Sequence, residues 1–270
     1  MNYIITLTIA GSDSSGGAGI QADIKTFSAL GCYAASAVTA VTVQNTIGVE
    51  HVMEIPPHIV GGQIRAVMDD LQPRAAKVGM TTDSLTIKTI ATELKYADFP
   101  IIVDPVMVAT SGDRLMPADA TDTLRNELIP LASLLTPNIP EAEALAGMTI
   151  KTAKDIDEAA HRLLDLGCKA VLMKGGHMEG NAKTDRLFAP GFQPEDFSGR
   201  TIYTDNTHGT GCTLSAAITA YMARGLPMSE AVGAARQYLQ HALEAGASVN
   251  IGRGHGPVNH LYSPERMMIL

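Results

Sequence analysis

Short apolar runs rich in β-forming residues alternate along this chain with segments whose apolar residues recur at helical spacing, and this alternation limits the fold more than any other feature. Residues 3–10 read as a strand, followed by the loop GSDSSGGAG and a helix carrying Ile20, Ile24, Phe27 and Leu30 on one face. Further strands are predicted over 34–43, 75–78, 101–103, 133–135 and 170–173, and helices over 57–71, 83–94, 118–128, 139–146 and 155–166. Asp83 stands where a helix N-cap is needed, and prolines open the 57–71 segment. Between 177 and 205 the rhythm changes to short β-prone pieces at 186–188 and 201–203, separated by turn residues, which fits a small antiparallel meander. Helices from Thr213 and Ser229 then precede a loop-rich tail, GRGHGPVNH. Such alternation implies an α/β fold with a mostly parallel central sheet and helices on both faces. No internal repeat or low-complexity linker divides the sequence, so residues 1–270 are expected to form one domain.

In open α/β sheets ligands bind outside the carboxyl ends of the strands. The residues expected there are Gly11, Ser12, Asp13, Gln44, Asn45, Gly79, Met80, Asp104, Asn138, Lys174, Gly175, Gly176 and the loop at Gly209, so nearly every unusual polar residue falls on one edge. Within 204–221, TDNTHGTGCTLSAAITAY, polar and glycine residues run into a helical pattern. Without side chains at Gly209 and Gly211, the peptide N–H groups from Gly209 through Thr210 to Cys212 can turn toward a bound group, and with the helix dipole they make an anion site. Gly-Thr-Gly is equally the turn that delivers a buried helix. His208 precedes this loop and reads as a capping or packing residue.

The first glycine loop does not fit G-x-G-x-x-G and no Gly-Lys-Ser/Thr occurs, which removes the main sequence support for a dinucleotide dehydrogenase or a P-loop NTPase. A net charge of −8 argues against nucleic acid or an anionic membrane as partner, so an anionic ligand needs a local site. Three scattered cysteines, no basic leader and no apolar run of spanning length lead to the expectation of a cytoplasmic protein without disulfides.

The remaining edge residues suit phosphoryl transfer, which needs positioning and charge neutralisation. Asp104 follows a strand and precedes Pro105; it can face the edge or serve a turn. Asn138 and Glu141, three apart at a helix start, read either as a polar pair on one side or as a capping box. Lys174 ends an apolar strand, so a carboxylate or a ligand phosphate must meet it, and the phosphate is the preferred reading. Cys212 at a helix N-terminus is expected to have a lowered pKa and could accept a proton from an attacking hydroxyl; a buried cysteine can also be an inert apolar residue.

Six blocks in order, LTIAGSDSSGGAGIQADIKTFSALG, AVTVQNT, VDPVM with ATSGDRL after it, LLTPNIPEAEAL, VLMKGGH and NTHGTGCTLSAAI, resemble the hydroxymethylpyrimidine/phosphomethylpyrimidine kinases of thiamin biosynthesis, members of the ribokinase-like superfamily. The resemblance covers nearly the whole chain and is least distinctive after about Ile251. It implies a three-layer α/β/α ribokinase-like fold, ATP with Mg²⁺ as phosphoryl donor, and transfer to 4-amino-5-hydroxymethyl-2-methylpyrimidine and then to its monophosphate. Pyridoxine or pyridoxal kinase activity on the same scaffold is the alternative. Carried onto matching positions, it implies that Gln44 bonds the aminopyrimidine, that Gly11, Ala18, Met80 and Val106 shape the pocket, and that Asp23 neighbours it. It further implies that Asp104, Asn138 and Glu141 support Mg²⁺ and the phosphates, with Asp104 and Glu141 toward the metal, and that Lys174 reaches the β/γ phosphates. The N–H groups from Gly209 to Cys212 would hold the charge on the moving phosphoryl group, with Cys212 as base where most sugar kinases of this fold have Asp. The polar segment 108–115 could close over substrate, and a homodimer is the implied assembly.

Overall fold

The structure is a computed structural model that describes residues 1–108, 116, 118–175 and 182–269. The expected closing segment therefore lies, apart from Val108, outside the described residues. Among them, nine strands form one sheet. They are β1 (Ile5–Asp13), β2 (Tyr33–Gln44), β3 (Val49–Glu54), β4 (Ala75–Val78), β5 (Ile101–Val103), β6 (Leu134–Leu135), β7 (Val171–Met173), β8 (Ala182–Phe188) and β9 (Glu195–Arg200). Their order is β3-β2-β1-β4-β5-β6-β7-β8-β9. From β2 to β7 all neighbours pair in parallel, and β3, β8 and β9 pair antiparallel at the two ends.

The central strands are buried on both faces, and their side chains divide by period 2 between two cores. Ile101 and Val103 point into one core while Ile102 points into the other; Val171 and Met173 likewise oppose Leu172. Helices α2 (Pro57–Asp70), α3 (Ser84–Leu94), α5 (Ile139–Ala146) and α6 (Ala153–Leu164) cover the first face. Helices α1 (Gly19–Ala29), α7 (Thr210–Ala223) and α8 (Met228–Gly246) cover the second. This is a three-layer α/β/α arrangement. Asp83 caps α3, accepting from the N–H groups of Leu85 and Thr86. None of the described helices is long and apolar enough to cross a membrane.

Two local expectations need correction, and one strand was not expected. Strand β3 was not legible, because VEHVME is an exposed edge strand with charges where an apolar alternation would be. Residues 201–203 are not a strand; the last strand is β9, whose sequence EDFSGR is a poor β-former held by its ladder to β8 and by the Arg186 guanidinium forking onto Asp196 at 2.6 and 3.0 Å. The helix expected over 118–128 is α4 (Ala118–Thr123), followed by a π turn at Leu124–Leu128 and a 3₁₀ turn at Ile129–Leu131, where Pro130 lacks the N–H that continuation needs.

Helix α7 is buried almost all round, with Ala216, Ala217, Ile218 and Ala220 inaccessible. Two of its buried hydroxyls bond along the helix: Thr213 donates to the Gly209 carbonyl and Thr219 to that of Ser215, each at 2.8 Å. The strand order reverses around β1, and α7 points its N-terminus at the crevice outside the carboxyl ends of β1, β4 and β5.

Candidate active site

A cavity of about 830 Å³ opens at this crevice. Gly11, Ala18, Gln44, Met80, Val106, Asp104, Asn138, Glu141, Lys174, Gly209, Thr210, Gly211 and Cys212 all line it. Asp23 does not. It is fully buried below the floor, where Lys77 Nζ lies 2.6 and 2.8 Å from its two oxygens and the Thr8 hydroxyl donates at 2.6 Å. With its oxygens committed and its surface inaccessible, Asp23 has no direct contact to offer a ligand.

The first turn of α7 forms one wall. Gly209 caps it at φ +77°, and a Cβ there would stand 1.9 Å from the Gly17 carbonyl oxygen, so only glycine fits. The Thr210 N–H goes to the Thr207 carbonyl at 3.3 Å, which leaves the helix head at Gly211 and Cys212 as the part of the loop best placed to receive an anion. Gly211 brings that backbone close to charge, since a Cβ on it would lie 3.5 Å from Lys174 Nζ and 3.8 Å from Asp104 Oδ2.

Lys174 is met by carboxylates: Asp104 Oδ1 lies at 2.9 Å and Glu141 Oε2 at 3.9 Å, while its side chain still lines the cavity where a phosphate would enter. Asp104 also accepts from Thr136 at 3.2 Å and Ser215 at 3.0 Å. Burial works against its charge, yet Lys174 and then Lys77 hold its carboxyl below the usual range. Burial opposes the Lys174 charge too, and Asp104 and Glu141 keep it protonated. Glu141 is pushed up to about 7 by burial, with Lys174 pulling it back and Asp104 adding to the rise. Asn138 and Glu141 do form the capping box of α5, exchanging bonds of 2.9 and 2.8 Å, and Glu141 faces Lys174 as well; the two sequence readings coexist in one geometry.

At the other wall, Ser14 fixes the Gln44 backbone by accepting from its N–H at 2.9 Å and donating to its carbonyl at 2.7 Å. Thr42 donates to Gln44 Oε1 at 3.0 Å and so orients the amide, which can donate and accept toward a heteroaromatic edge.

Cys212 departs from expectation. It is partly exposed to the cavity, but burial pushes its thiol up to about 11; Lys77 pulls it back, and Asp23 and Asp104 push it further. Removal from water is the largest cause of the rise, and with its pKa there the side chain is a thiol at neutral pH. Iodoacetamide alkylation at Cys212, followed by mass spectrometry of its peptide, is expected to keep climbing about tenfold per pH unit from 9 to 10, where an ordinary thiol has levelled off. A plateau above pH 9 would restore the low-pKa reading.

Two features escaped sequence reasoning. One is Lys77, whose signal was available: a lysine inside the wholly buried strand AAKV needs a buried partner. The other is the bond between His208 Nε2 and Asp13 Oδ2 at 2.8 Å, which joins residues 195 positions apart and leaves no local mark.

Among the described residues, no three His, Cys, Asp or Glu side chains gather in a way that would hold a metal ion. A divalent cation here would share its ligands with phosphates, as Mg²⁺ commonly does with one or two carboxylates, and Asp104 and Glu141 have the hard oxygen donors for that.

Comparison with known proteins places this architecture. A family model described as phosphomethylpyrimidine kinase matches residues 13–259. The hydroxymethylpyrimidine/phosphomethylpyrimidine kinase of Rhizobium meliloti (strain 1021) is 49% identical over 259 residues, covering 96% of this chain and 97% of its own. The crystal structure of phosphomethylpyrimidine kinase from Clostridium difficile 630 is 45% identical, with a TM-score of 0.79 over 89% of this chain and 99% of that one. An ADP complex of Bacillus subtilis pyridoxal kinase is 35% identical, with a TM-score of 0.88 over 96% and 98% of the two chains. Backbone likeness therefore does not separate the two activities, whereas identity leans toward the pyrimidine enzymes.

Proposed function

This chain belongs to the phosphomethylpyrimidine kinase family, and on that premise we propose that it phosphorylates hydroxymethylpyrimidine and then the resulting monophosphate, with ATP as donor, as a step of thiamin biosynthesis. One observation carries the reading: a wall with an oriented amide, Gln44, and a helix head beside a half-buried lysine, Lys174, line one cavity.

In this reading Gln44 bonds the aminopyrimidine edge while Gly11, Ala18, Met80 and Val106 bound the ring. Gly11 allows the close approach, since a Cβ there would meet the Met80 sulfur at 3.0 Å. Lys174 takes the donor's phosphates as its second partner beside Asp104, and the N–H groups of Gly211 and Cys212 receive charge developing on the moving phosphoryl group. Asp104 and Glu141 would hold Mg²⁺ together with those phosphates, and the ion would supply charge neutralisation. Because the Cys212 thiol lies near 11, its contribution is placing the hydroxymethyl group at the helix head, and transfer rests on positioning and charge stabilisation.

The test is ATP consumption by the purified protein with Mg²⁺, with hydroxymethylpyrimidine and pyridoxal offered in parallel and products weighed by mass spectrometry. Two successive phosphates on the pyrimidine are expected, with pyridoxal much poorer. Turnover of pyridoxal alone would overturn the substrate assignment, and Gln44→Ala is expected to raise KM for the pyrimidine roughly tenfold by removing a ring contact.

A further inference from the structure

We infer that His208 is a positioning residue, which fixes the first glycine loop against the head of α7 and so sets the distance between the ring-binding and phosphoryl-binding walls. The inference rests on the function proposed above for those walls.

The imidazole is 6% exposed and its Nε2 lies 2.8 Å from Asp13 Oδ2. A carboxylate only accepts, so Nε2 carries the proton. Asp13, 4% exposed, ends β1 and organises the loop that follows. Its Oδ2 accepts from the N–H groups of Gly17 at 3.1 Å and Ala18 at 2.8 Å, and its Oδ1 from the N–H and hydroxyl of Ser15 at 2.8 and 2.7 Å. Burial works against its charge, but His208, Ser15 and the loop amides hold the carboxyl down to about 2. From the other side, the His208 N–H donates to the Gly256 carbonyl at 3.0 Å, anchoring the residue to the GRGHG tail.

The ring also presses its Cδ2–Nε2 edge on the first loop, since a Cβ on Gly17 would stand 2.3 Å from His208 Cδ2 and 3.1 Å from Nε2. The next residue in chain, Gly209, presses its own backbone on the Gly17 carbonyl. Two backbone segments from opposite ends of the sequence therefore touch, with the His208–Asp13 bond as the polar tie between them. Ala18 and Gly19 line the cavity on one side of this contact, and Gly209 to Cys212 line it on the other. Reacting groups out of place by about 1 Å lose around a hundredfold in rate, so a tie at this point acts on turnover before affinity.

The experiment compares His208→Leu, which fills the space without a donor, with His208→Gln, whose amide nitrogen can reproduce the bond. For the leucine variant kcat is expected to fall roughly a hundredfold while KM for pyrimidine and nucleotide stays within about threefold. The glutamine variant is expected to recover to within about tenfold of the parent. Amide hydrogen exchange in peptides spanning 14–19 and 207–213 is expected to speed up in the leucine variant and stay near the parent in the glutamine variant. Parental turnover in the leucine variant overturns the inference. So does equal loss in both variants, which would leave ring packing as the whole effect. If the parent itself phosphorylates nothing, the functional reading fails, and the exchange arm decides alone: acceleration in both loops supports the tie, and unchanged exchange sinks it.

Discussion

Replacing Gly209 by alanine is expected to lower kcat at least a hundredfold. The added methyl faces the Gly17 carbonyl oxygen at 1.9 Å, a backbone atom with no rotamer to escape by. Either the first glycine loop or the head of α7 must withdraw, and both line the cavity. A second cost comes from the left-handed backbone at φ +77°, which disfavours any L side chain by about 1–2 kcal/mol. Gly225→Ala separates the two: Gly225 ends the same helix region at φ +93° with nothing within 4 Å of its notional Cβ. That variant should lose a similar increment of stability by denaturant unfolding and keep its turnover. Steady-state kinetics on both at equal folded fraction is the check, and a Gly209→Ala enzyme within threefold of the parent would refute the view that the loop contact places the anion site.

The second large effect is on stability. Lys77→Met is expected to cost about 3–5 kcal/mol, because it leaves the Asp23 carboxylate without its countercharge in a site no water reaches. Burial pushes the Asp23 carboxyl up and opposes the Lys77 charge, while the contact between them works against both tendencies. The bidentate geometry and the Thr8 hydroxyl are those of an ionised pair. Adding Asp23→Leu should recover most of the loss, since apolar replacement of a whole buried pair is often neutral or better. Urea unfolding of the parent, the single and the double variant supplies the cycle. A single variant down by less than about 1 kcal/mol would mean that Asp23 is already neutral when folded.

How much of this was readable beforehand differs by kind of feature. The alternation of apolar runs and helical stretches, the cap at Asp83 and the glycine turn before α7 are all written in stretches of a few residues. Hydrophobic period and turn chemistry act over that range, so sequence alone is enough to find them. Strand β3 and the last strand escaped because edge strands need no buried face and are held by partners instead. The family resemblance implies Asp23 as a neighbour of the pocket, while α1 turns it inward onto Lys77, 54 residues away.

Cys212 marks the boundary most clearly. From its sequence it is a thiol at the positive end of a helix, where its pKa should fall; in the folded chain removal from water decides the outcome and raises it. Lys174 follows the same pattern: the sequence demanded a partner, and only the fold says that Asp104 and Glu141 supply it. By itself, then, the sequence determined the architecture and which residues reach one edge of the sheet, because both follow from local periodicity. The tertiary structure decided which of those residues are charged, which are tied to one another and which are sealed beneath the floor. Those properties depend on burial and on neighbours far apart along the chain, and no local pattern encodes them.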